Sequence, residues 1–370
     1  MYLNEFAADL DPLDLSASPE LQSLLASAAD LGIPHDPGVR YFSRNTVLRR
    51  QRFHFLEWGE PDAPPVVLLH GGNQTAHSWD LVSLHLADRY RVLALDQRGH
   101  GDSEWARDAD YSVRAMAGDA LAFIDQQGLG RPLVIGHSMG GMVTMTLLAA
   151  RPGVARGAVF VDVGPEVSGE GADVIRAFVQ ENVEFDDLDE FIERVTAYDP
   201  YRSREHITRT VRYNLLQRSD GKFVSKSDRL LHSPDFRREG AERSDDGRIE
   251  GAPDLDAVRS FDLPALVVRG GESNVLTPEG AERFADALPR GQLVTVADCG
   301  HNVHGQNTPG FLDAVRPFLD SVAREDADLG CGLPPLPTWE AGRELVDLAE
   351  RDALYAVLDD DERGEAPDTP

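Results

Sequence analysis

The residues best suited to chemistry lie around Ser138, in the run Gly-His-Ser-Met-Gly at 136–140. A short apolar stretch at 133–135 precedes this run, and a helical stretch at 143–150 follows it. The order predicts a strand, a sharp turn and a helix, with the serine at the apex of the turn. The two flanking glycines support that prediction, because a side chain in either place would collide with the strand or the helix. The serine hydroxyl is then exposed beside the first amides of the helix, where it can act as a nucleophile.

Short apolar runs alternate with helical patterns along most of the chain, and these elements must position the serine. Further strands are predicted at 66–69, 91–95, 158–161, 265–268 and 293–296. Continuous apolar runs are typical of strands buried on both faces. The fold class is therefore α/β, with a mostly parallel central sheet and helices on both faces. The alternation stops after Gly164, and 165–260 is predicted to form a mainly helical lid over the strand ends, where open α/β sheets bind ligands.

The predicted lid separates the central fold into two segments, and two extensions flank that fold. The central fold is expected at 45–164 and 261–323. An N-terminal extension, 1–44, should contain one helix, because Ser18 is followed by a proline and a run with apolar residues on one face. A C-terminal extension, 324–370, should contain one helix and an acidic tail. The chemistry is therefore expected in the central fold, beneath the lid.

The charge balance limits the kinds of partner that the chain can bind. The 370 residues carry a net charge of −28, which disfavours nucleic acid and anionic membranes. No apolar run approaches the ~18 residues of a membrane-spanning helix, and the acidic start lacks a signal-peptide pattern. The two cysteines form no disulfide framework, so a cytoplasmic protein is the simplest expectation. The sequence contains no metal-binding motif and no dinucleotide fingerprint, so neither a metal nor a cofactor is expected.

Several separated motifs resemble the α/β-hydrolase family, specifically its lidded, serine-nucleophile members that act as esterases or lactonases. Besides the serine turn, they are His-Gly-Gly at 70–72, Asp-Gln-Arg-Gly-His-Gly-Asp-Ser at 96–103 and a Gly-His pair ending at His301. The resemblance covers about 45–323 and implies the α/β-hydrolase fold. It also implies that Ser138 is the nucleophile and that His301, after the last strand, is the general base that takes its proton.

The resemblance also implies an oxyanion hole, a pair of backbone amides facing the negative charge that develops on the substrate carbonyl. One donor is expected to be the Met139 N–H, directly after the nucleophile. The other is expected in the loop after His70, at Gly72, or at Asn73 if the loop shifts by one residue. Glycine there lets the backbone approach the substrate. Losing one such donor costs about 2.7–4 kcal/mol in comparable enzymes.

The third member of the expected triad departs from the family pattern. Asn274 stands where the resemblance places the catalytic aspartate, and an amide there cannot stabilise the imidazolium as a charge. Some family members carry the acid after the strand that follows the nucleophile helix, and Asp162 occupies that position. Alternatively, Glu272 serves if the loop shifts by two residues, or the chain is catalytically impaired. We favour Asp162, although an aspartate at this strand end could simply cap its turn.

The predicted function is that of a serine hydrolase that cleaves a small or medium carboxylic ester or lactone through an acyl-enzyme. Within the enzyme class, the alternative is a carbon–carbon bond hydrolase of aromatic-ring breakdown. Outside that class, the alternative is a ligand-binding relative with a degraded triad. The arginines within 202–218 could receive a substrate carboxylate, although a solvated face is favoured there. The expected partner is therefore a small-molecule ester or lactone.

Overall fold

The structure, a computed structural model, describes residues 12–181, 184–232 and 252–328. Its strands are β1 Leu13–Asp14, β2 Tyr41–Leu48, β3 Gln51–Trp58, β4 Pro65–Leu69, β5 Arg91–Leu95, β6 Leu133–His137, β7 Gly157–Val161, β8 Glu184–Phe185, β9 Leu215–Gln217, β10 Phe223–Ser225, β11 Ala265–Gly270 and β12 Gly291–Val296. Its α-helices are α1 Pro19–Asp30, α2 Asp80–Leu86, α3 Val113–Gln126, α4 Met139–Ala150, α5 Gly169–Glu181, α6 Leu188–Tyr198, α7 Arg204–Val211, α8 Leu255–Val258, α9 Pro278–Ala287, α10 Val303–Gln306 and α11 Thr308–Asp328.

Most of these strands form one 9-stranded sheet, in the order β1-β2-β3-β5-β4-β6-β7-β11-β12. From β5 to β12 in that order the neighbours pair in parallel, whereas β1, β2 and β3 pair antiparallel. This arrangement confirms the predicted fold class. Because parallel strands end at the same edge of a sheet, the loops that follow β4, β6, β7, β11 and β12 meet at one edge.

Apolar side chains cover both faces of the sheet. Along β4, Val67 and Leu69 enter one apolar cluster, whereas Val66 and Leu68 enter another. Helices α3, α4 and α9 contribute to the first cluster, and α1, α2 and α11 contribute to the second. The central strands are therefore buried on both sides, which explains why their sequences are continuous apolar runs rather than alternating ones.

The region predicted as the lid leaves the sheet after β7 and returns before β11. Its described part contains α5, α6 and α7, together with a three-stranded antiparallel sheet of order β8-β10-β9. An apolar cluster of its own holds it together, with Phe185, Phe191 and Ile207 among its buried members. The small sheet was not anticipated, because strands this short leave no alternating pattern to recognise. Residues 233–251 of the predicted lid lie outside the described residues.

The N-terminal extension packs as part of the fold. Helix α1 begins after Ser18, whose hydroxyl accepts a hydrogen bond from the Leu21 N–H at 3.1 Å. Leu21, Leu24 and Ala28 are buried in the cluster beneath the sheet. Strand β1 pairs with β2, and β2 starts at Tyr41, ahead of the expected start of the central fold at 45. The extension therefore completes one edge of the sheet.

At the other end of the described chain, α11 runs on past 323 to Asp328. The further helix predicted within 324–370 lies outside the described residues. None of the helices in the described ranges is long and apolar enough to cross a bilayer.

Candidate active site

Ser138 occupies the turn between β6 and α4 that the sequence predicts. Its backbone has φ +50° and ψ −116°, a strained conformation for a residue with a side chain. The flanking glycines permit this turn. A Cβ on Gly136 would lie 2.3 Å from the Gly140 carbonyl oxygen, and a Cβ on Gly140 would lie 2.2 Å from the Leu69 carbonyl oxygen. The serine therefore stands directly before the first helical residue and borders a cavity that is also lined by residues of the predicted lid.

Asp162 follows β7, next to the strand that leads to the serine. Its side chain is fully buried. One carboxylate oxygen, Oδ1, accepts a hydrogen bond from the Gly270 N–H at 2.9 Å. The other, Oδ2, accepts from the Ser273 hydroxyl at 2.5 Å and lies 2.8 Å from Nδ1 of His301. The end of β11 with its loop, and the loop of His301, thus both meet this carboxylate.

The contact between Asp162 and His301 fixes which ring nitrogen carries the proton. An ionised carboxylate only accepts hydrogen bonds, so Nδ1 of His301 must donate. The neutral ring then presents an unprotonated Nε2, which is the form that can take a proton from a nucleophile. His301 borders the same cavity as Ser138. The arrangement can therefore supply a base and a charge that stabilises the base once it is protonated.

The loop after β11, which contains Glu272 and Asn274, has a different role in the structure. Both side chains are exposed and border the cavity. The Asn274 carbonyl oxygen packs against α5, since a Cβ on Gly171 would lie only 2.1 Å from it. The Ser168 N–H donates to the Val275 carbonyl at 2.8 Å. The loop thus contacts the base of the lid, and the carboxylate that meets His301 is that of Asp162.

The two expected oxyanion donors, Gly72 and Met139, both border the cavity. Met139 is the first residue of α4, so its N–H lies among the amides that a helix leaves without an intrahelical acceptor. In the loop after β4, the Gly71 N–H donates to Oε1 of Gln74 at 2.9 Å and is therefore engaged. Gly72 is exposed, and the space where its Cβ would stand is open. This geometry favours Gly72 over Gly71 as a donor to a ligand.

Other histidines near the cavity fit packing roles. His304 has 1% of its surface exposed, and its ring stacks on Trp79 with the ring centroids 3.8 Å apart. Burial, with a smaller contribution from Arg202, holds the pKa of His304 well below its ordinary value. Nε2 of His70 accepts from the Gln97 N–H at 3.0 Å, and its Nδ1 lies 2.8 Å from the Gly71 carbonyl oxygen. His70 therefore braces the loop that follows β4.

The cavity has a volume of about 820 Å³, within the usual range for small-molecule sites. The lid forms an apolar wall with side chains from α5 and α6, among them Val174, Phe178 and Val195. Val174 and Tyr198 are 48% and 42% exposed, so this wall is open to water. An apolar group of a ligand would cover it with a gain of about 25 cal/mol for each Å² removed from water.

The arginines that border the cavity are paired with acids of the protein. Nε of Arg202 donates to Asp199 at 2.6 Å, and Nη1 of Arg209 donates to Asp80 at 2.9 Å. Arg209 is only 7% exposed, which differs from the solvated face favoured on sequence grounds. The helical pattern of α7 could not reveal this, because the partner of Arg209 lies at the start of α2, far away in the sequence.

One group of described residues has the spacing of metal ligands, namely His54, Asp96 and Asp102. Nδ1 of His54 lies 2.7 Å from Asp96, and its Nε2 lies 2.9 Å from the Ser43 hydroxyl. Asp102 is paired with Lys226 at 2.6 Å, and Asp96 also accepts from the Ala76 N–H at 2.6 Å. These contacts fit a buried hydrogen-bonded network that ties β3 to neighbouring loops, rather than a metal site.

Sequence reasoning missed two side chains that organise the site, Ser273 and Gln74. Ser273 donates to the carboxylate of Asp162, and Gln74 joins two of the loops at the cavity. The sequence offered one indication of their role, namely that both residues lie in loops that follow strands of the sheet. Their contacts depend on residues far away in the chain, which a local pattern does not specify.

Comparisons with known proteins agree with the fold. A family model described as the alpha/beta hydrolase fold matches residues 64–308. Esterase Rv0045c of Mycobacterium tuberculosis is 29% identical over 273 residues, with 72% of this chain and 86% of that protein covered. The 2-(acetamidomethylene)succinate hydrolase of Mesorhizobium japonicum is 26% identical over 294 residues, with 80% and 99% covered.

Among solved structures, an α/β hydrolase from Novosphingobium aromaticivorans matches with a TM-score of 0.66 and 29% identity, and the match covers 76% of this chain and 98% of that one. The chain therefore belongs to the α/β-hydrolase family. Its relatives include an esterase and a further hydrolase, so this protein is a hydrolase.

Proposed function

We propose that the protein is a serine hydrolase that cleaves a small or medium carboxylic ester or lactone through an acyl-enzyme at Ser138. The observation that carries the proposal is the 2.8 Å contact between Nδ1 of His301 and the buried carboxylate of Asp162. It prepares His301 as a base at the cavity that Ser138 also borders.

The reaction proceeds in two halves. Oγ of Ser138 attacks the carbonyl carbon of the ester, while Nε2 of His301 takes the hydroxyl proton. The carbonyl oxygen becomes an oxyanion, which accepts hydrogen bonds from the Gly72 and Met139 N–H groups. When the carbon–oxygen bond of the ester breaks, His301 returns the proton to the leaving alcohol. Water then repeats the sequence on the acyl-enzyme and releases the carboxylic acid.

Asp162 acts when His301 is protonated. Its negative charge stabilises the imidazolium that forms after proton transfer, and its hydrogen bond keeps Nδ1 as the donor. The bonds from the Gly270 N–H and the Ser273 hydroxyl hold the carboxylate in place. These contacts support Asp162, rather than Glu272 or the Asn274 position, as the third member of the triad.

The cavity supports an uncharged substrate with an apolar part. Val174 and Phe178 on α5 offer an apolar wall, whereas Arg202 and Arg209 are already paired with Asp199 and Asp80. A substrate carboxylate would have to compete with these acids for the arginines. The name of the Mesorhizobium relative refers to a succinate, so its substrate carries two carboxylates. This chain is better equipped for a neutral ester or lactone, in line with its esterase relative.

The test is hydrolysis of p-nitrophenyl esters with acyl chains of increasing length by the wild type and by Ser138→Ala. We expect wild-type turnover with short and medium chains, and a loss of kcat of at least about 10³-fold in the variant. Ser260→Ala is the matched control, because that exposed serine hydroxyl donates to the Ala257 carbonyl within its own turn and does not border the cavity. A Ser138→Ala protein that keeps roughly a tenth of the activity would exclude Ser138 as nucleophile.

A folded wild-type protein that hydrolyses none of these esters would contradict the proposed substrate class. Binding of the same esters without turnover would favour the ligand-binding alternative. Circular dichroism of each variant shows whether a loss of activity reflects a loss of fold.

A further inference from the structure

Gln74 connects two loops that meet at the cavity from opposite ends of the chain. Its side-chain oxygen Oε1 accepts a hydrogen bond from the Gly71 N–H at 2.9 Å, within the loop that contains Gly72. Its amide nitrogen Nε2 donates to Oδ1 of Asn302 at 3.2 Å. Asn302 directly follows His301, so one side chain ties the loop of the proposed oxyanion donor to the loop of the proposed base.

His137, at the end of β6, completes this connection. Nδ1 of His137 lies 3.1 Å from Oε1 of Gln74, and its Nε2 lies 2.9 Å from the His301 carbonyl oxygen. Burial, and then the neighbouring His301 and His304, hold the pKa of His137 well below its ordinary value. The ring is therefore neutral and donates to one of these two oxygens at a time.

The backbone at Gly71 packs closely against the side chains of Gln74 and His137. A Cβ on Gly71 would lie 2.6 Å from Nδ1 of His137 and 3.0 Å from Oε1 of Gln74. Glycine is therefore required at 71 for the loop to pack against both side chains. This close packing fixes the backbone that leads into the next residue, Gly72, which borders the cavity.

We propose that Gln74 is a positioning residue that sets the distance between the oxyanion donor at Gly72 and the base His301. The proposal rests on the proposed function of these two residues. During acyl transfer, the donor must meet the developing oxyanion while the base meets the serine proton. An error of ~1 Å between such groups can cost about 10²-fold in rate. Gln74 borders the cavity, and in this proposal it acts through the two loops that it joins.

The test is Gln74→Met, which keeps the length and approximate volume of the side chain and removes its polar contacts with Gly71, Asn302 and His137. We expect kcat for a p-nitrophenyl ester to fall by about 10–10²-fold with little change in KM, because the apolar wall that binds the substrate is untouched. Gln126→Met is the matched control, since Gln126 also donates one side-chain hydrogen bond, to Thr46 at 2.9 Å, but lies on α3 and does not border the cavity. The control should keep the wild-type kcat.

A double-mutant cycle with Asn302→Ala separates positioning from general destabilisation. Asn302→Ala removes the acceptor of the Gln74 amide and leaves the bond to the Gly71 N–H. If the two loops are coupled through this contact, the losses in kcat of the two variants are less than additive when combined. Additive losses, or a Gln74→Met protein with wild-type kcat, would overturn the proposal.

The outcome also distinguishes this proposal from the proposed function. If Ser138→Ala abolishes turnover while Gln74→Met does not reduce kcat, the nucleophile stands and the positioning role fails. If the wild type neither hydrolyses the esters nor reacts with a fluorophosphonate, both proposals fail. Thermal melting of Gln74→Met shows whether its loss of kcat follows from unfolding.

Discussion

Two loops at the same edge of the sheet lie where the acid of the site is expected, and they differ in burial and in hydrogen bonding. After β7, Asp162 is fully buried and accepts three hydrogen bonds, from the Gly270 N–H, the Ser273 hydroxyl and His301. After β11, the Asn274 side chain is exposed and its backbone packs against the base of the lid.

The difference shows how a triad of this kind could take its acid from the end of either of two neighbouring strands. Strands β7 and β11 are paired in parallel, so their ends lie side by side and both can approach the loop of His301. The β11 loop still takes part, because Ser273 donates a hydrogen bond to the carboxylate that β7 supplies. In the proposed triad, the β11 loop would therefore support the acid rather than supply it.

The largest effect is expected from Asp162→Asn. The amide cannot stabilise the imidazolium as a charge and can select the wrong tautomer of His301, which costs about 10⁴-fold in turnover in serine proteases. Steady-state kinetics with a p-nitrophenyl ester measures the loss. Asp125→Asn is the control, since it weakens a partly buried ion pair with Arg151 that does not border the cavity, and it should leave kcat unchanged. An Asp162→Asn protein of nearly normal activity would remove Asp162 from the triad.

A smaller loss is expected from Ser273→Ala. The variant removes one hydrogen bond to the Asp162 carboxylate, together with the bond that the Ser273 hydroxyl accepts from the Val275 N–H at 3.1 Å. It keeps the bonds from Gly270 and His301 to the carboxylate. A hydrogen bond to a charged group contributes about 1.5–3 kcal/mol, and only part of that should appear in the barrier. We therefore expect kcat to fall by about tenfold with KM unchanged. An unchanged kcat would show that the contacts with the Gly270 N–H and His301 are sufficient to hold the carboxylate.

The smallest effect is expected from Asn274→Asp. An added carboxylate at this exposed position interacts weakly through solvent, so kcat should change by no more than about twofold. The same substitution in the Asp162→Asn background tests whether an aspartate at 274 can replace the acid lost at 162. We expect no recovery of activity, because the backbone of residue 274 is held against α5. A recovery of about tenfold or more would mean that the β11 loop can still supply the acid.

The sequence was sufficient to predict the parallel strands and the strand–turn–helix at Ser138, because each leaves a local pattern of apolar runs and glycines. It also pointed to Asp162 and His301, which stand at strand ends. It could not separate Asp162 from Glu272 or Asn274, since burial and hydrogen bonding at that edge depend on how β7 and β11 pack. For the same reason, the contacts of Gln74 and the burial of Arg209 were not predicted, because their partners lie in distant segments.

The measurement that tests the central claim most directly is reaction with a fluorophosphonate, followed by mass spectrometry of the intact chain and its peptides. The account predicts one adduct per chain, located on Ser138, absent from Ser138→Ala and formed far more slowly by Asp162→Asn. A folded wild-type protein that forms no adduct, or one that forms its adduct on a different residue, would contradict the assignment of Ser138 as the nucleophile of an acyl-enzyme hydrolase.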